Sequence, residues 1–314
     1  MRYWITCVLL ASLAPCCWAA SGSWVPGLAG LKNGSVPGPG YYFINTSFAY
    51  SSDEFRDKHG KSVNQVLGEP VDFKVDVVAN MTGFTWISPY KVLGASYGAN
   101  IWGTVGYVKG DLSLGEIFNA SSSETGLMDT YVEPINLSWH LKHFDVFTSY
   151  GFFAPTGKFD ENDTANTGRD RWTHILNAGM TAYFDEKKSW TAATTFRYEI
   201  HMGQQHQDAR FGDNLTLEWG IGKQIVFMNE EKTAPAGILN FGPVGYAQWQ
   251  TTHNTGSDAI QKDVLAKVYG AGFEANYTRV NWKGATFGLR FNKEFEAHGR
   301  PQGMTGTFNI GIKF

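Results

Sequence analysis

The last eight residues set a pattern that runs through the chain: Phe308, Ile310, Ile312 and Phe314 alternate with Thr307, Asn309, Gly311 and Lys313. Successive side chains of a strand point to opposite faces, so a period of two gives one apolar face and one polar face. Residues 190–201 repeat it. Trp190, Ala192, Thr194, Phe196, Tyr198 and Ile200 fall on one side, and Thr191, Ala193, Thr195, Arg197, Glu199 and His201 on the other. Leu215, Leu217, Trp219 and Ile221 separate in the same way from Thr216, Glu218, Gly220 and Gly222. A helix would scatter both sets around its circumference. Twelve segments read as strands: 40–50, 71–83, 90–102, 130–141, 143–153, 172–184, 188–202, 214–226, 237–250, 263–277, 282–294 and 304–314. The segment 237–250 contains Pro243, which cannot donate to a ladder.

The connections alternate in length. After even-numbered segments they are mostly short: Thr85–Pro89, the residue or so around Lys142, Asp185–Lys187 and Arg279–Asn281, with 227–236 longer. After odd-numbered segments they are longer and polar, as in 51–70, 103–129, 154–171, 203–213 and 251–262. A soluble sandwich gives no reason for this. A membrane barrel does, with short periplasmic turns, long external loops and an even strand count. The predicted fold class is all-β: a transmembrane antiparallel β-barrel of the outer-membrane type, with about twelve strands over residues 40–314 and both ends periplasmic. Trp190 and Tyr198 check its size. At roughly 3.3 Å per residue and a tilt of about 40° they stand roughly 20 Å apart along the membrane normal, suited to opposite aromatic girdles.

Composition sharpens this. Aromatic residues make up 15% and charged residues only 18% of the 314, yet the mean hydropathy of −0.25 is that of a water-soluble protein. This chain is too aromatic for disorder and too polar for a helical membrane bundle. A net charge of −3 argues against a nucleic-acid partner, which needs a basic field. All three cysteines, Cys7, Cys16 and Cys17, lie in an apolar stretch that follows Arg2 and ends in Trp18-Ala19-Ala20. Residues 1–20 read as a removed signal peptide, with small residues placed for cleavage after Ala19. A lipid-modified Cys16 or an uncleaved anchor are the alternatives, and Pro15 counts against both. Residues 21–39 are rich in Gly and Pro and lack the alternation; they form either a linker or a plug folded into the lumen.

Two stretches carry a resemblance. Trp24-Val25-Pro26-Gly27-Leu28-Ala29-Gly30-Leu31 with Pro37-Gly38-Pro39-Gly40-Tyr41-Tyr42, and then Asp53-Glu54-Phe55-Arg56-Asp57-Lys58-His59-Gly60, resemble the proteobacterial family named for the meta-pathway of phenol degradation. That resemblance implies an outer-membrane transporter or channel taking up aromatic or other hydrophobic compounds. It brings no catalytic or binding residues with it.

Strand parity directs Asp72, Lys74, Asp76, Asp145, Arg197, Glu199, His201, Glu218, Glu274 and Arg290 inward. Arg197, Glu199, His201, Glu218 and Arg290 are candidates for a lumen constriction that filters solutes, or for mutually neutralising pairs that fill a narrow interior. Phe147, Phe153, Tyr183 and Tyr246 are inward aromatics, candidates for an apolar slide or for plain packing. Phe314 ends the last strand as the signal expected by the barrel assembly machinery, which with membrane lipid and a small solute completes the expected partners. The eight histidines are scattered, with His140 and His143 at one turn and His201 and His206 near one loop, so no metal site is expected. No phosphate loop or nucleophile elbow occurs. Neither enzyme chemistry nor a cofactor is expected. The reading is passive uptake of small hydrophobic or aromatic compounds across the outer membrane; the alternative is a structural or surface-interaction barrel that transports nothing.

Overall fold

The computed structural model describes residues 22–314 except 67, 162 and 164. The expected signal peptide and its cysteines lie outside the described residues. The barrel strands are β1 (Gly40–Ser52), β2 (Glu69–Val92), β3 (Ala95–Leu114), β4 (Thr130–His140), β5 (Phe144–Ala154), β6 (Thr173–Tyr183), β7 (Trp190–His201), β8 (Asn214–Met228), β9 (Pro235–Gln250), β10 (Lys267–Arg279), β11 (Ala285–His298) and β12 (Met304–Lys313). Each pairs antiparallel with its neighbours in sequence, and β12 pairs with β1, so the sheet closes on itself. In a bilayer every backbone group must be satisfied within the protein, and a ring without edges does this. Among the described residues four further strands stand outside the ring: Phe55–Arg56, Gln65–Val66, Phe118–Leu127 and Arg300–Pro301.

The outward face is apolar where it meets lipid. Leu289, for example, is 64% exposed and is flanked in register by Ala275 and Phe308. Trp190 is exposed on the same face of β7 as Tyr198, while Thr191, Arg197, Glu199 and His201 are buried inside. Alternation therefore assigns most strands correctly.

Three expectations are corrected near β2 and β3. The turn expected at Thr85–Pro89 is at Leu93 and Gly94, whose φ of 52° and 76° make the two-residue hairpin joining Val92 to Ala95. Pro89 does not end the strand, because the missing N–H falls in a bulge between Ile87 and Lys91. Nor is 103–129 simply a loop: β3 runs on to Leu114 and pairs with Phe118–Leu127, forming a hairpin above the ring. Finally, Asp72, Lys74 and Asp76 face outward. Their strand rises past the apolar band, where water bathes the outside and the inside holds a cluster of Phe48, Phe55, Phe73, Val75, Val77 and Leu112. The usual polarity of the two faces is reversed, and Lys74 pairs with Asp76 at 3.1 Å in the open.

A charge placed on the lipid face marks where the band ends. Leu289→Arg should lower folding stability in vesicles by about 2–4 kcal/mol, whereas Asp72→Arg should change it by no more than about 0.5 kcal/mol. Denaturant titration of both variants measures the difference; equal losses would place Asp72 in the lipid.

Candidate functional site

Residues 22–38 run through the lumen. This segment has no strand partner, so its buried N–H groups need acceptors from the wall. Carboxylates supply them. Trp24 N–H donates to Glu199 Oε2 at 3.0 Å, Gly27 and Ala29 N–H to Glu218 Oε1 at 2.8 and 3.0 Å, and Leu31 N–H to Glu274 Oε2 at 2.8 Å. Bonds to ionised acceptors are about twice as strong as neutral ones. Arg290 closes the circuit by donating to Gly27 O at 2.7 Å. Further on, Ser35 donates to Asp145 at 2.7 Å. Two glycines allow the close approach. Gly27 has φ 86°, and a Cβ there would lie 2.8 Å from the Tyr246 ring; a Cβ on Gly30 would run into the carboxylate of Glu274.

The five constriction candidates fall into two groups. Arg197, Glu199, His201 and Glu218 adjoin one another on β7 and β8, with Arg197 Nη1 2.6 Å from Glu218 Oε2 and His201 Nε2 3.5 Å from Glu199 Oε2. Arg290 stands apart on β11, forked onto Glu274 by two bonds of 3.0 Å. Arg197 also lies 3.5 Å over the Trp24 ring, a cation–π contact between wall and segment.

The four inward aromatics do not form one track. Phe147 packs over Gly179, Tyr183 donates to Asp145, and Tyr246 lies against Gly27 and donates to Glu294 at 3.1 Å. Phe153 belongs elsewhere, with its ring centroid 4.9 Å from that of Tyr131. Around this pair lies a cavity of about 200 Å³, walled also by Trp24, Trp102, Glu133 and Arg197. Glu133 accepts from Asn100 (2.8 Å), Asn136 (2.9 Å), Tyr131 (2.9 Å) and Ser149 (2.8 Å), so its carboxylate is fully engaged with neutral donors.

Trp24, Trp102, Tyr131 and Glu133 were not among the sequence candidates. The signal for the last was Pro134. Parity inside 130–141 slips there: Tyr131 and Glu133 face inward, then Asn136 and Ser138, because a bulge separates the two pairs. Outer loops close the far end through buried acidic side chains. Asp129 accepts from Gly157 and Arg169 N–H, Asp170 from Gln205 and His206 N–H, and Asp213 from His201 N–H. Burial raises Asp129 from the ordinary carboxylate value despite those donors, and pulls Arg171, in the loop between β5 and β6, down to about 9. Among the described residues no group of three or more His, Cys, Asp or Glu is placed to hold a metal.

A closed antiparallel ring, apolar outside and polar within, defines a transmembrane β-barrel of the outer-membrane type. The profile of the family described as MetA-pathway of phenol degradation matches residues 52–310, and the chain belongs to that family. Among solved structures the chain is similar to an outer-membrane channel of Pseudomonas putida F1, at 14% identity and a TM-score of 0.69, over 93% of this chain and 100% of that one. It also aligns with the β domain of a Bordetella autotransporter, at 8% identity and a TM-score of 0.45 over 88% and 100% of the two chains. A Pseudomonas aeruginosa FadL homologue aligns at 9% identity and a TM-score of 0.39, over 86% and 89%. No curated protein matches the sequence.

Breaking one buried pair tests how the interior is held. Arg290→Met leaves the Glu274 charge without its cation and should cost about 3–5 kcal/mol of folding stability. Arg290→Met with Glu274→Met should recover most of that loss in the same denaturant titration. A double variant no more stable than the single one would show that the Leu31 N–H bond to Glu274, rather than the ion pair, dominates.

Proposed function

We propose that the protein is a channel of the bacterial outer membrane, exported with a cleaved signal peptide, through which small hydrophobic and aromatic compounds diffuse passively. The observation that carries this reading is the cavity between Trp24 of the lumen segment and Trp102, Tyr131 and Phe153 of the wall. Its volume of about 200 Å³ suits a single-ring solute; an apolar cavity of about 150 Å³ is enough to hold benzene. Ring-to-ring contacts of about 0.5–1.5 kcal/mol each favour entry without trapping the solute, as permeation requires. The likeness to a Pseudomonas putida channel and a family described by phenol degradation agree with this reading.

In it, residues 22–38 plug the lumen. The carboxylates of Glu199, Glu218 and Glu274 hold the plug by its backbone, and Arg197 fixes Trp24 at the cavity wall. On this reading Arg197, Glu199, Glu218 and Arg290 act on the protein's own chain. Phe314 presents the end of β12 to the assembly machinery.

Two measurements test this. Initial uptake rates of aromatic, aliphatic and sugar solutes are compared in cells with and without the protein; faster entry confined to the aromatic and apolar solutes is expected. Equal rates across the panel would favour a barrel with a structural or surface-binding role. Removing residues 21–36 should raise single-channel conductance in planar bilayers several-fold, and unchanged conductance would overturn the plug.

A further inference from the structure

Two donors on the walls of the aromatic cavity have nothing to donate to. Trp24 Nε1 and Arg197 Nε are both shut away from water, and neither meets an acceptor among the described residues. Both side chains line the cavity of about 200 Å³. Arg197 is only 6% exposed, and its ion pair, from Nη1 to Glu218 at 2.6 Å, leaves Nε free. The Trp24 ring is pinned under that guanidinium at 3.5 Å and set edge-on to Tyr131 at 6.3 Å, so neither donor can swing out to water. Buried donors in folded proteins are nearly always paired, and two unpaired ones around one cavity point to a compound that enters it.

The carboxylate of the same cavity is in the opposite condition. Glu133 accepts two donors on each oxygen, Asn100 and Asn136 on Oε1, Tyr131 and Ser149 on Oε2. All four are neutral, so no cation offsets its charge, while Arg197 is already matched by Glu218. Asn100 Oδ1 in turn accepts from Trp102 Nε1 at 3.0 Å. A smaller cavity of about 50 Å³ shares Trp24, Leu28, Met81 and Phe153 with the larger one, and Thr167 Oγ1 on its wall is unpaired as well. Trp24 therefore stands where the two cavities meet, and a ring in the larger one has room for a substituent beside it.

We propose that this cavity selects a neutral aromatic compound bearing a strong oxygen acceptor, such as an aryl ketone, an aryl aldehyde or a nitroarene. Its ring lies among Trp102, Tyr131 and Phe153, and its oxygen accepts from Trp24 Nε1 and Arg197 Nε. This rests on the channel reading and narrows the class of solute. A carbonyl oxygen has two lone pairs, enough for both donors. An aromatic hydrocarbon leaves both of them unpaired. A phenol brings an O–H to a carboxylate whose oxygens are already occupied. An aromatic carboxylate brings a second negative charge beside Glu133, at a cost that the low dielectric of the interior enlarges. The neutral acceptor gains bonds without stranding a polar group of its own.

A pair of solutes of equal shape tests the selection. Acetophenone carries C=O where α-methylstyrene carries C=CH2, and Trp24→Phe keeps an aromatic ring while removing the Nε1–H. Calorimetric titration of the purified full-length protein in detergent micelles, with empty micelles as the blank, compares both solutes on wild type and variant. Acetophenone should bind the variant about two- to tenfold more weakly than wild type, and α-methylstyrene should bind the two alike. Equal weakening of both solutes, or no weakening of acetophenone, would overturn the acceptor site and leave the channel reading standing. Binding of neither solute to wild type would overturn the channel reading together with it. The carbonyl stretch reports the bond directly. For carbon-13-labelled acetophenone on wild type, the infrared band should lie below its position in hexane, and on Trp24→Phe it should move part of the way back, since Arg197 still donates. A band at the hexane position on wild type would overturn the proposal whether or not the variant assembles.

Discussion

Every backbone N–H and C=O shut away from water must find a partner, and this requirement shapes the molecule at two depths. In the wall it is met by closure, since β12 pairs with β1 and no edge remains. In the lumen closure cannot help. Residues 22–38 lie inside a ring whose ladders are already complete, so their N–H groups turn to side chains. Glu199, Glu218 and Glu274 are best understood as backbone acceptors held on a rigid sheet. Arg197 and Arg290 then offset the charge that those acceptors bring into the interior.

How much of this was legible depends on which physical rule governs each residue. The direction of Arg197, Glu199, His201, Glu218 and Arg290 followed from period-two alternation, because a slip of one residue would turn lipid-facing Trp190 and Phe196 inward. Asp72, Lys74 and Asp76 defeated the same rule. Alternation tells two faces apart, but which face is apolar depends on whether lipid or water lies outside, and β2 crosses from one to the other. The partners of the inward charges were less visible still. No pattern in the sequence says that Glu218 meets the amide of Gly27, since that contact depends on the path of a segment without periodicity.

Two prolines within these strands have different consequences. Pro89 and Pro134 each fall where a ladder is interrupted, so the missing donor costs little. At Pro89 the interruption sits beside the periplasmic turn and has local consequences only. At Pro134 it sits beside an aromatic cavity and redirects the strand, bringing Glu133 in and carrying Asn136 and Ser138 to the inner face after it. Pro134, which the alternation was read straight through, marks the change of parity beside the cavity.

The lumen segment also has a place in time. Its acceptors lie 175, 191 and 243 residues further along the chain, on strands β7, β8 and β10. None of them exists as part of a wall when residues 22–38 leave the ribosome, and contacts of such long sequence separation form late. The ring can zip from neighbour to neighbour before the segment finds its seat. The segment therefore cannot be seated before those strands are in place, and it is held by a few hydrogen bonds to side chains rather than by a ladder. The ladders that close the ring and the contacts that seat this segment are thus separate sets of bonds.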